Sequence, residues 1–123
     1  MKQIAFAFFA LGAISVTLGM VWGIQMSATH DHTLSPAHAH LNLVGWVTFA
    51  IFGMYYHLVP EAAQSPIAKI HFGLAVLGLA ALVPGIVLAI NETTETLAII
   101  GSFLTLAAML VFLFTVFRNR AAA

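Results

Sequence analysis

Six histidines stand among only four basic and four acidic residues, and there is no cysteine. Imidazole nitrogen is a common ligand for haem iron, copper and zinc, and it titrates near neutral pH. Without cysteine the chain has no disulfide, iron–sulfur cluster, thiolate zinc site, thiol nucleophile or covalently attached c-type haem. The chemistry available is therefore histidine chemistry. Four of the six histidines, His30, His32, His38 and His40, fall within eleven consecutive residues, while His57 and His71 stand apart.

His38 and His40 form an H-x-H pair. On an unbroken α-helix they project about 200° apart, so they cannot chelate one ion together and must address two sites. His38 shares its face with Asn42, Gly45, Phe49 and Phe52, and His40 shares its face with Val44, Val47, Ile51 and Met54. Each face combines an imidazole with flat apolar surface, as a porphyrin pocket requires. A packed helix with no cofactor carries the same pattern. His30-Asp31-His32 sits just before this helix and offers two imidazoles and a carboxylate to copper or zinc, or forms an ordinary solvated loop. His57 and His71 read as hydrogen-bonded interfacial groups, with a polar contact between them; His57 lies about 25 Å along the helix from His40, too far to share a ligand.

The elements that hold these residues are set by composition. Hydrophobic residues make up 62% and charged residues 7% of the 123, against about 45–50% and about 25% in soluble domains. That much apolar surface has no place to hide in a chain this short, so its solvent is lipid. Four stretches reach the roughly 20 residues that span a bilayer: about 3–26, 37–58, 67–90 and 96–117. The reading is an all-α membrane protein with a single four-helix transmembrane domain over residues 1–123. Ser35-Pro36 and Ser65-Pro66 each place a capping hydroxyl before a proline suited to a first helical turn, and Asn91–Glu95 forms a polar turn. The first run exceeds the 7–15 apolar residues usual in a signal peptide and reads as a retained helix. Pro84 is expected to bend the third span. Gly19 and Gly23, and Ala81 and Gly85, offer small-residue faces for helix packing.

Lys2, Lys69, Arg118 and Arg120 fall at one end of this four-helix arrangement, and Asp31, Glu92 and Glu95 at the other. The positive-inside rule then makes both termini cytoplasmic. Net charge is zero with histidine neutral, and no basic run suggests nucleic acid.

His38-Ala39-His40, Phe49-Ala50-Ile51-Phe52-Gly53, His57, Pro60 and Ala68-Lys69-Ile70-His71-Phe72 follow one another in an order and spacing that resemble the haem–copper oxidase family. The stretch looks like the tenth and eleventh helices of cytochrome c oxidase subunit I. The second span is also similar to the second helix of the nitric oxide reductase large subunit, through His40, Asn42, Trp46, Gly53, Tyr55-Tyr56 and Pro60-Glu61. Together these matches cover about residues 36–85.

The resemblance implies that His38 corresponds to the ligand of the high-spin haem and His40 to that of the low-spin haem, and that His57 and His71 are not haem ligands. It implies further that this chain is one third of the family's twelve-helix catalytic subunit, which a homotrimer would rebuild with His38 and His40 facing different neighbours. The oxidases' copper ligands, a histidine and tyrosine on one helix and a histidine pair on another, have no counterpart here. No acidic residue lies inside a span. A complete, proton-pumping oxidase is therefore not expected, and whether any reaction is catalysed stays open.

The leading expectation is a haem b protein for electron transfer, gas binding or haem handling. It would sit in a bacterial inner membrane with the histidine-rich end of the second helix facing the periplasm, and electron transfer would call for a redox partner that no motif identifies. A copper- or zinc-binding protein using His38 or His40 from several chains, with His30 and His32 as accessory groups, is the alternative. A cofactor-free structural subunit is the third.

Overall fold

The computed structural model describes residues 1–121 of the chain. It is all-helical, 86% helix with no strands among the described residues. Four helices are long and apolar enough to cross a membrane: α1 (Gln3–Thr29), α2 (Ser35–Leu58), α4 (Pro66–Ile90) and α5 (Thr96–Arg118). A single short turn of helix, α3 (Pro60–Gln64), lies between α2 and α4. The chain is thus an integral membrane protein in form. Large apolar side chains are exposed along all four spans, Ile24 at 70% and Phe103 at 69% among them, a surface that suits hydrocarbon or another apolar surface.

The ends of the helices follow local chemistry. His30 stops α1 in the left-handed region, at φ 57° and ψ 19°. In the next turn Asp31 Oδ1 accepts from the Thr33 amide at 3.0 Å and from the Thr33 hydroxyl at 2.6 Å. That arrangement displaces the expected Ser35 cap. Leu34 occupies the cap position and Ser35 is already helical, its amide donating to the His32 carbonyl at 3.0 Å. Ser65 does cap α4, accepting from the Ile67 amide at 3.3 Å, with Pro66 in the first turn. Pro84 is accommodated inside α4. The polar turn ahead of α5 contains Glu92 at φ 60°, and Thr94 Oγ1 accepts from the Thr96 amide at 3.2 Å.

The helices pack in two antiparallel pairs, α1 on α2 and α4 on α5, with α2 also touching α4. Small residues set both seams. In the first, Gly12 faces Trp46, Gly19 faces Asn42, Gly23 faces His38 and Gly53 faces Ala5 and Phe9. In the second, Gly85 lies on Ala98, and Gly101 lies on Leu82. Close backbone approach supplies van der Waals contact where lipid removes any hydrophobic drive between helices. The Gly19 and Gly23 pair, read from sequence as an association face, is consumed inside the chain.

One departure from regular geometry lies where the sequence places its chemistry. Leu41–Thr48 is wound as a π-helix, between α-helical Ser35–His40 and Phe49–Leu58. Thr48 Oγ1 donates to the Leu43 carbonyl five residues back at 2.8 Å. π-Helical stretches are rare and occur frequently at functional sites.

Candidate functional site at the histidine-rich end of α2

His40 is exposed, and its Nδ1 lies 2.7 Å from the carbonyl oxygen of Pro36, one turn earlier on the same helix. A carbonyl can only accept, so Nδ1 carries the proton and donates. In the neutral ring Nε2 is then a bare lone pair facing outward. Of the apolar residues expected on the His40 face, Val47, Ile51 and Met54 are substantially exposed, whereas Val44 is half-buried and Leu43 is exposed beside them. The arrangement is a nitrogen donor of fixed tautomer at the head of an apolar shelf.

His38 is placed differently. It is half-buried, its ring 6.1 Å from Trp22 and nearly perpendicular to it, and its Nε2 lies 3.3 Å from Asn42 Nδ2. A Cβ built at Gly23 would stand 3.3 Å from His38 Cε1, so α1 closes directly over the ring. Below it Gly45, Phe49 and Phe52 are buried. The two faces read from the sequence thus divide into one turned to α1 and one turned out of the protein. His38 therefore meets its own α1, where a trimer analogy had placed a neighbouring chain. Its Nδ1 and Asn42 Oδ1 have no hydrogen-bond partner and are shielded from solvent.

His30 and His32 are exposed at the same end. Asp31 between them is committed to Thr33: the hydroxyl, then the amide, holds its carboxyl below the usual carboxylate value. Among the described residues no three His, Asp or Glu side chains converge as around one metal ion.

At the other end the two remaining histidines part company. His57 is exposed, whereas His71 is fully buried. The expected His57–His71 contact is replaced by one from Tyr56, whose hydroxyl lies 2.8 Å from His71 Nδ1. Phe8, Phe52 and Phe112 surround the imidazole at centroid distances of 5.0, 4.4 and 5.4 Å. Nε2 is buried and has no hydrogen-bond partner among the described residues. Phe49, Phe52 and Tyr56 recur at helical spacing on the inward stripe of α2, and His57 lies about 100° round from Tyr56. That register is the signal that would have selected Tyr56.

No protein-family model matches the chain, and it finds no match among curated proteins or solved structures.

Proposed function

We propose that this is a membrane haem-binding protein in which His40 Nε2 would be the residue that holds haem b and copies of the chain would complete the pocket. The observation that carries the reading is the His40–Pro36 hydrogen bond at 2.7 Å, because it fixes the tautomer that leaves Nε2 free. A metal-binding histidine characteristically donates its other ring nitrogen to a carbonyl or carboxylate, which orients the ring and raises its basicity. The apolar side chains beneath it suit a porphyrin face and keep water away. The H-x-H resemblance to the haem–copper oxidases supports the same residue.

When bound, the haem supplies an iron that changes oxidation state and takes up small gases. The chain holds that iron through His40, orients the ring through Pro36 and sets the polarity of the pocket through Val47 and Ile51. His38 is held by Asn42 under α1, so this reading rests on His40. In the assembly we propose, three chains reproduce a twelve-helix arrangement, with both termini cytoplasmic and the histidine-rich end periplasmic, in a bacterial inner membrane.

Purified protein expressed with ample haem should show a strong Soret band that His40→Ala removes. A colourless protein overturns the reading. Stoichiometric zinc or copper without haem would instead assign His40 to a bare metal site, with His30 and His32 as accessory ligands.

A further inference from the structure

The end of the molecule opposite the H-x-H pair contains a cleft of about 1080 Å3. It lies between the start of α1, the end of α2, α3 and the first turns of α4. This volume is slightly above the roughly 300–1,000 Å3 of small-molecule sites. Its lining divides by chemistry. Lys2 and Lys69 bring two ammonium groups, and His57, Gln3 and Gln64 bring further polar groups. Ile4, Ala5 and Phe72 make an apolar wall. Among the described residues no carboxylate lines the cleft; the nearest in sequence, Glu61, lies outside the lining between Pro60 and Ala63, which are part of it.

Two cations with no carboxylate beside them among the described lining residues, set against an apolar wall, favour a ligand that is anionic at one end and hydrocarbon at the other. The position agrees. Lys2 immediately precedes α1 and Lys69 lies in the first turn of α4, so both ammoniums stand where two spans begin, at the level of lipid headgroups. Lysines at that level reach the interface while their stems lie along apolar surface. A free inorganic anion would use the lysines and leave the apolar wall without a role.

We propose that this cleft seats the phosphate headgroup of an anionic phospholipid, with Lys2 and Lys69 bracketing the phosphate and the upper acyl chain lying against Ile4 and Phe72. The inference is independent of any cofactor at the other end.

The test is binding of phosphatidylglycerol to the whole protein in phosphatidylcholine nanodiscs, read as lipids retained in native mass spectrometry and as affinity for a fluorescent phosphatidylglycerol. Lys2→Gln and Lys69→Gln should each weaken binding about fivefold, and the pair about 25-fold. Arg118→Gln with Arg120→Gln, outside the cleft, should change it less than twofold. Ala63→Phe, which narrows the cleft at constant charge, should also weaken it, with helical content unchanged by circular dichroism. Equal losses from the arginine and lysine pairs would show general surface attraction and overturn the proposal. So would displacement of the lipid by millimolar inorganic phosphate, which would make the free anion the ligand, or equal retention of phosphatidylcholine.

Discussion

The Tyr56 hydroxyl and His71 Nδ1 lie 2.8 Å apart in the most densely aromatic part of the molecule, joining α2 to α4. This is a side-chain hydrogen bond between two spans, and both residues are buried. Tyr56→Phe leaves Nδ1 without a partner in addition to Nε2. The expected loss is about 1–2 kcal/mol of resistance to denaturation by SDS. Tyr56→Phe with His71→Phe removes both polar partners and should lose less than the sum of the two single variants, the mark of a coupled pair.

The glycine seams should respond in a definite order. A Cβ at Gly85 would stand 2.5 Å from the Ala98 backbone nitrogen, and backbone cannot step aside. Gly85→Ala should therefore destabilise by about 1–3 kcal/mol, whereas Gly19→Ala meets only the end of the Asn42 side chain and should cost less. Gly73 meets nothing within 4 Å, so Gly73→Ala should be neutral or stabilising by up to about 1 kcal/mol. Thermal unfolding in one detergent across the three variants checks the ranking.

The loop between α1 and α2 should be sensitive to acid. Thr33 holds the Asp31 carboxyl below the ordinary carboxylate value of about 3.9. A depressed folded value contributes order that is complete above the unfolded value and lost as pH falls through the folded one. The protection of the Thr33 amide, its intrinsic exchange rate divided by the observed one, should be complete near neutral pH, fall only below about pH 4, and be close to one at every pH in Asp31→Ala.

Assembly has its own readout. In gentle detergent the protein should have a mass three times that of the 13.1 kDa chain. A monomer or dimer under those conditions would remove the twelve-helix arrangement. Val47→Glu on the exposed shelf should dissociate the trimer and bleach the haem together.

Much of the fold was legible because bilayer length and apolar run are one constraint. The expected spans 3–26 and 37–58 differ from Gln3–Thr29 and Ser35–Leu58 by no more than three residues at either end. The separation of His38 from His40 followed from helical angle alone. Other features carry no such signal. π-Winding at Leu41–Thr48 leaves no periodicity distinguishable from an apolar α-helix over eight residues, and α3 is a five-residue turn of helix begun by Pro60. Ser35 satisfied the pattern for a cap, but Asp31 took over the turn. That His38 lies under α1 depends on Gly23 meeting it across the seam, a contact between distant parts of the chain.

The widened stretch at Leu41–Thr48 sits between the two polar sites of α2, His40 above and Tyr56 below. It works as a gear. Deleting one residue there while the remaining turns stay wide would turn the upper half against the lower, whereas relaxation of the widened turns to α would absorb part of the change. With Phe49, Phe52 and Tyr56 anchored around His71, the imidazoles at the top would swing instead, carrying His40 off its shelf and His38 out from under α1. The phase between the aromatic anchor and the outward-facing nitrogen is thus written in the length of one helix segment, and a single-residue insertion or deletion could retune it without altering any ligand.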